Sequence, residues 1–348
     1  MNLYENRLYI EDLRRPLETM DLSPLSGKTV LITGASGLIG TVVTDMLLEY
    51  NSVYGTDIRI VAAVHNYEKA KQRLRQNSAL TLVQYDALNP VSFSCKADYI
   101  IHAASNASPD AYVKKPVETL MGIVGGTYEM IKLAIQSNTL NFLYVSSSEV
   151  YGIRDNDEAS KEDEYGFIDI LSPRSSYSMG KRAAETLCIG YANEFNRKVT
   201  IIRPGHIYGP AAKETDQRVS SSFAYLAARG EDLVLKSSGL QMRSYCYAVD
   251  CASAILTVLV KGENCEAYNI SNKSSVITIR EMAEYYAKAG DVMVVFQGAD
   301  NKEKAAFNPM SNSSLNSEKL ELLGWKASFG AEEGLNHTVR IIRECINQ

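Results

Sequence analysis

The sequence is short of several things, and each shortage removes a class of function. It has no strong charge of one sign: 36 Lys and Arg face 41 Asp and Glu, leaving a net charge of −5. That balance excludes the basic footprint of a nucleic-acid binder. No apolar run reaches the ~20 residues that a membrane helix needs, so no membrane partner is expected. The first residues, Met1-Asn2-Leu3-Tyr4-Glu5-Asn6, contain no apolar signal core, which makes the cytoplasm the expected compartment. The six cysteines (Cys95, Cys188, Cys246, Cys251, Cys265 and Cys345) form no Cys-x-x-Cys pair, and only four histidines accompany them. A metal site is therefore not expected, and buried free thiols are. Tryptophan occurs once, at Trp325, whereas tyrosine occurs 21 times, mostly as packing with some scope for stacking on sugars. Internal repeats and low-complexity tracts are also missing.

What is present begins with Thr33-Gly34-Ala35-Ser36-Gly37-Leu38-Ile39-Gly40. An apolar, β-branched run, Lys28 to Ile32, precedes it, and a helical pattern, Thr41 to Leu48, follows. Strand, glycine turn and helix are the order that a dinucleotide site needs. Gly34 makes the tight turn, Gly37 lets backbone approach a pyrophosphate, and Gly40 lets the helix pack close to the strand. The helix N-terminus, with Ser36, Leu38 and Ile39, offers free N–H groups and partial positive charge to the phosphates. A second strand, Arg59 to Val64, ends in His65-Asn66 where an NAD site usually has an acid that binds the ribose. The missing acid, with Lys69, Lys71 and Arg73 nearby, leaves NADP open beside NAD, and Asn66 is the candidate for a ribose hydroxyl.

A third strand, Leu80 to Tyr85, ends in Asp86-Ala87, where Asp86 either meets the adenine amino group or caps a turn. A fourth, Asp98 to Ser105, finishes in Ala103, Ala104 and Ser105, small enough to let a cofactor close. After a helix from about Thr119 to Ser137, a fifth strand, Asn141 to Val145, delivers Ser146-Ser147-Ser148-Glu149 to its carboxyl end. Tyr177 and Lys181 then open a helix four residues apart, on one face. A neighbouring ammonium favours the phenolate and lowers the phenol pKa, which suits Tyr177 to act as a base. A sixth strand, Val199 to Pro204, leads to Gly205-His206-Ile207-Tyr208-Gly209-Pro210. The alternation to about residue 210 implies an α/β fold with a doubly wound parallel sheet. Beyond it, helices at Val249–Leu259 and Ile279–Ala287 lie among short strands around Arg218 and Arg243. Residues 1–26 read as a helical extension laid on the surface: Leu3, Leu8, Ile10, Leu13 and Leu17 form its stripe, and Glu11, Asp12, Arg14 and Arg15 lie outside it.

Thr33 to Gly40, Ser146 to Gly152, Tyr177 to Lys181, and Arg203-Pro204 through Tyr208-Gly209-Pro210 together resemble the extended short-chain dehydrogenase/reductase family, in the branch that modifies nucleotide sugars. The segments look most like the UDP-glucuronate decarboxylases of that branch. The similarity rests on Ser105-Asn106-Ala107-Ser108-Pro109 with Tyr112 and Pro116, on Ser148-Glu149-Val150-Tyr151-Gly152, on Pro173 to Thr186, and on Asp216 to Phe223 followed by Gln241, Arg243 and Asp250. The chain departs from that pattern at His65, Ile123, Ser147 (usually threonine), Met179 and Asn308-Pro309-Met310.

The resemblance implies a Rossmann-type domain over 27–210, a mainly nucleotide-sugar-binding region over 211–348, a tightly held nicotinamide cofactor and a homodimer built from helices. It implies that Tyr177, poised by Lys181 and bonded through Ser147, takes the proton from the sugar 4-hydroxyl, and that Glu149 and Ser148 manage the proton at C5. Lys181 also meets the cofactor ribose. Ser108, Arg218, Arg243 and Tyr208 would bind the nucleotide sugar, the two arginines at its diphosphate. Dehydration at C4 and C6, 4-epimerisation and 4-keto-sugar reduction share the first step. Outside the class stands a binding protein that kept the fold; the intact set Ser147, Tyr177 and Lys181 speaks against it.

Overall fold

The computed structural model describes residues 3–105, 109–298 and 311–347. Its centre is a seven-stranded, wholly parallel sheet. The strands are β1 (Thr29–Thr33), β2 (Arg59–Val64), β3 (Leu80–Gln84), β4 (Tyr99–His102), β5 (Asn141–Val145), β6 (Val199–Pro204) and, from far along the chain, Glu266–Ile270. In space the order is Glu266–Ile270, β6, β5, β4, β1, β2, β3. It reverses between β1 and β4, which makes the crevice beyond their carboxyl ends the topological switch point. The inner strands β5 and β6 are covered on both faces, so they are buried at each residue rather than alternating.

Three helices follow from local chemistry. α1 (Arg7–Leu17) is capped by the Asn6 side chain, which accepts from the Tyr9 N–H. α2 (Leu38–Tyr54) starts at the glycine turn and is buried from Gly40 to Tyr50. α3 (Tyr67–Arg73) is capped by Asn66. The long pair α4 (Pro116–Ser137) and α5 (Ser175–Phe195) lies on the other face, and each ends on an asparagine in the left-handed conformation, Asn138 and Asn196.

Two features differ from the sequence expectation. The fourth strand stops at His102, and Ala103 to Ser105 leave it as irregular backbone. The region after residue 210 does not stand apart, because Glu266–Ile270 pairs with β6 and supplies the seventh strand. The same region also builds a small sheet around Met242–Tyr247, which pairs in parallel with His206–Tyr208 and antiparallel with Val276–Thr278.

The N-terminal helix is bound by buried polar groups as well as its apolar stripe. Asp12, expected to face outward, is buried: it accepts from the Tyr247 hydroxyl at 2.8 Å and meets His337 Nδ1 at 2.9 Å. Tyr9 donates to Asp45 of α2 at 2.8 Å, and Arg14 pairs with the buried Glu49 at 2.7 Å. One helix thereby ties the glycine-turn helix to the C-terminal part of the chain.

Burial raises the Asp45 carboxyl to about 7, against the opposing pull of the Tyr9 and Tyr4 hydroxyls. A carboxyl with a raised folded pKa stabilises fully below its unfolded value, about 3.9, and that contribution fades as pH climbs to its folded value. Asp45→Asn cannot ionise, so it gains on the wild type by up to about 4 kcal/mol between pH 4 and 7. Urea unfolding across that range measures the difference; a difference independent of pH would contradict it.

Candidate active site

Thr33 ends β1 and ties two backbone segments together. Its hydroxyl oxygen accepts from the N–H groups of Ala103 and Ala104 at 3.1 and 3.0 Å, and it meets His102 Nδ1 at 2.7 Å. Gly34 follows with φ +69°, and a Cβ there would stand 3.0 Å from the Ala103 carbonyl. The glycine turn and the small residues after β4 are thus brought together at the switch point. A Cβ on Gly40 would run into the Gly34 carbonyl and stand 2.7 Å from Ala35 Cα. On Gly37 the only neighbour within 4 Å among the described residues would be the Gly34 carbonyl, so the crest is open there. No side chain caps α2 at Gly37, and the start of this helix, with Ser36, Leu38 and Ile39, keeps N–H groups for an anion. These residues fit a dinucleotide pyrophosphate.

The adenosine end is less free than the sequence suggests. Asn66 spends its side-chain oxygen on Lys69 N–H at 2.9 Å. Asp86 accepts from Leu88 N–H and Asn89 Nδ2, the turn-capping alternative, and Ala87 packs under Gly126. Arg73 turns inward to Thr41 and the Ala211 carbonyl. Of the basic residues near a 2′-phosphate, Lys69 and Lys71 stay exposed.

The chemistry gathers where β5 ends. Ser147 starts a short 3₁₀ turn, Ser148–Tyr151; its hydroxyl accepts from Glu149 N–H at 3.2 Å and stands near enough to the Tyr177 phenol to favour the phenolate. Lys181, one turn along α5, is buried; it donates to the Val145 carbonyl at 2.8 Å and lies 5.7 Å from the Tyr177 ring centre. Ser147, Tyr177 and Lys181 therefore form one cluster, with Ser148 and Glu149 at its edge. Glu149 is within electrostatic reach of Tyr177 and forms an ion pair with Arg174 at 3.3 Å.

The electrostatics correct one expectation. Burial pushes the Tyr177 phenol up to about 12, outweighing the lowering by the nearby Ser147 hydroxyl. Burial also drops Lys181 to about 7, with Glu185 pulling it back up. Desolvation decides both because neither group meets water. His102 and His206 are pushed down to about 3 by burial, with nearby cations adding to it. His102 Nε2 and His206 Nδ1 each lack a partner among the described residues.

Of the expected sugar-binding residues, Ser108 lies outside the described residues, as do Asn308-Pro309-Met310. Arg218 reaches the field of Tyr177, but its guanidinium holds Asp216 at 2.5 Å. Arg243 is 3% exposed, sits in the field of His206 and Glu149, and donates only to the Met242 carbonyl among the described residues. A buried guanidinium without a carboxylate keeps N–H donors that an anion would satisfy. Tyr208 is not brought to the cluster: its ring is buried against Tyr247, and its hydroxyl abuts Gly334 of the C-terminal helix, Ala331–Ile346.

Two contributors carried no assigned role in the sequence reading. Tyr112 stacks on Tyr177 with ring centres 4.4 Å apart and planes 14° from parallel. Arg174 stands three residues before Tyr177, a spacing that puts both on one helix face, and this was the available signal. A cavity of about 850 Å³ lined by Arg182, Glu185 and Arg203 opens elsewhere and contains neither Tyr177 nor Lys181. The chemistry, rather than the volume, locates the site.

A glycine turn at the switch point, with a Ser–Tyr–Lys set beyond the next strand but one, is the layout of a dinucleotide-dependent enzyme acting on a hydroxyl. The profile of the NAD dependent epimerase/dehydratase family matches residues 30–271. Among similar proteins, UDP-glucuronic acid decarboxylase 1 of Xenopus tropicalis is 30% identical over 93% of this chain and 74% of its own length. UDP-glucuronic acid decarboxylase 6 of Arabidopsis thaliana is 31% identical over 89% of this chain and 87% of its own. The crystal structure of UDP-glucuronic acid 4-epimerase from Bacillus cereus, in complex with UDP-glucuronic acid and NAD, superposes with a TM-score of 0.75 at 20% identity, covering 91% of this chain and 99% of that one. The chain belongs to the NAD dependent epimerase/dehydratase family.

Lys181 carries a separate stability signature. Its folded pKa near 7 lies below the ordinary lysine value, so the fold is penalised for the charge below pH 7, and the penalty disappears as pH rises to the unfolded value. Lys181→Met therefore gains stability over the wild type most at or below pH 7, and the gain shrinks at higher pH. Thermal unfolding at several pH values reads it; equal gains at all pH values would contradict it.

Proposed function

We propose that this protein is an NAD-dependent nucleotide-sugar enzyme that oxidises the sugar at C4, and that it decarboxylates UDP-glucuronate to UDP-xylose. The observation that carries this reading is the Ser147–Tyr177–Lys181 cluster with Glu149 beside it and serine, not an acid, at 148. The relatives named as UDP-glucuronic acid decarboxylases support the choice of reaction.

A nicotinamide bound here would supply a reversible hydride acceptor for C4. Gly34, Gly37, Gly40 and the start of α2 hold the pyrophosphate, with Ala103, Ala104 and Ser105 alongside and Asn66, Asp86 and Ala87 at the adenosine end. Tyr177 takes the 4-hydroxyl proton through the bond network with Ser147, and Lys181 favours the phenolate. The ketone formed at C4 is β to the C6 carboxylate, so the bonding pair released with carbon dioxide is held as an enolate. Glu149 and Ser148 direct the proton that then enters at C5, with Arg174 orienting Glu149. Arg243 and Arg218 hold the diphosphate, the latter after sharing its fork with Asp216.

A second copy of the chain fits the outer face of α4. Val117, Leu120, Met121 and Tyr128 recur there at helical spacing and are 38–74% exposed. We assign a homodimer to that face and the enzyme to the cytoplasm, where six free cysteines are in keeping with a reducing compartment.

The test is to purify the protein, identify its bound cofactor and incubate it with UDP-glucuronate. Carbon dioxide and a UDP-pentose are expected, and Tyr177→Phe should lower the rate by at least about 100-fold without unfolding the protein. Absence of both products from the wild type would sink the decarboxylase reading. A 4-keto-6-deoxy product from dTDP-glucose would replace it with a dehydratase, and an inverted C4 with an epimerase.

A further inference from the structure

Arg203 is a charge in an otherwise uncharged buried strand, Val-Thr-Ile-Ile-Arg-Pro, and is 2% exposed. A guanidinium in such a place is tolerated only when its donors are all met. All five N–H groups have acceptors. Nε and one terminal nitrogen hold Glu185 of α5 at 3.0 and 2.7 Å. The same terminal nitrogen reaches the Tyr165 hydroxyl at 3.0 Å. The other reaches the Tyr151 hydroxyl at 3.0 Å and the Glu162 carbonyl at 2.7 Å.

Two of these partners bear on the active site. Tyr151 ends the 3₁₀ turn that begins just after Ser147, and its hydroxyl donates onward to Asn269 Oδ1 at 2.5 Å. Glu185 lies one turn beyond Lys181, on the face that carries Tyr177 and Lys181. Arg182 adds a backbone clamp, donating to the Val150 and Gly166 carbonyls at 2.7 and 2.9 Å. We propose that Arg203 is a positioning residue: by holding Tyr151 and Glu185, it fixes the segment Ser147–Glu149 against the helix that carries Tyr177 and Lys181. The inference takes from the proposed function only that Tyr177 and Lys181 perform the proton transfer.

The electrical side follows from what faces Lys181. Its own helix presents Tyr177, Glu185 and Cys188; β5 presents the Tyr144 ring and the Val145 carbonyl; β4 presents His102. Glu185 is the carboxylate of this set, and it holds the ammonium against the drop that burial imposes. Arg203 holds that carboxylate in place with two charge-assisted hydrogen bonds.

Two variants of the full chain test this, Tyr151→Phe and Glu185→Gln. Tyr151→Phe removes one hydroxyl, leaves the ring in place, and should speed amide hydrogen exchange across residues 147–151 about tenfold while exchange in the central sheet stays unchanged. It should lower kcat by about 10- to 100-fold with little change in KM, since misplacement of reacting groups acts on the chemical step. Its pH profile should keep the wild-type alkaline limb. Glu185→Gln should move that limb to lower pH, because Lys181 loses its anion. Unchanged exchange at 147–151 in Tyr151→Phe, or an unmoved limb in Glu185→Gln, would overturn the proposal. If the wild type turns over no UDP-sugar, the functional reading fails, and the exchange result alone decides the role of Arg203.

Discussion

The structure depends on keeping an ammonium out of water. Lys181 is buried, points at the Val145 carbonyl and lies near the faces of Tyr144 and Tyr177. Burying a charge is expensive unless a carboxylate or hydrogen bonds offset it. Glu185 supplies the charge, Val145 supplies a hydrogen bond, and Arg203 holds Glu185. The cost therefore extends outward through β6, the 3₁₀ turn and the loop at Glu162. Burial still brings the Lys181 ammonium down to about 7; Glu185 opposes that drop, and the Val145 carbonyl fixes where the side chain lies.

A second buried system ties the two parts of the chain. The helix α1 places Asp12 under Tyr247 and His337 and sets Tyr9 on Asp45 of the glycine-turn helix. The strand Glu266–Ile270 closes the sheet against β6. The dinucleotide crevice and Arg243, on the strand Met242–Tyr247, are therefore held by one continuous core.

The parallel sheet was legible because its strands are apolar runs punctuated by glycine and by helices of the right length; β2, β5 and β6 fall at the residues expected. The glycine turn and the Tyr177–Lys181 pair were legible because each is a short-range pattern whose spacing encodes the geometry. What was hidden is long-range. Glu266-Ala267-Tyr268-Asn269-Ile270 has a charge at one end and a polar residue inside, so it did not read as a strand of the main sheet, where it forms one edge. Asp12 looked exposed because helical spacing cannot show a tyrosine 235 residues away. Tyr208 looked like a sugar contact by resemblance, and only packing against Gly334 places it in the core. The direction of the Tyr177 shift also differs: spacing shows a nearby ammonium, whereas burial, which spacing cannot show, sets the direction.

The central claim is that Tyr177 and Lys181 serve an oxidation at C4 that is undone before the product leaves. Incubating the enzyme in heavy water with UDP-glucuronate deuterated at C4 tests it most directly. The account predicts a UDP-pentose that keeps its deuterium at C4 and gains one from solvent at C5. A product whose C4 deuterium has been lost to solvent would contradict it.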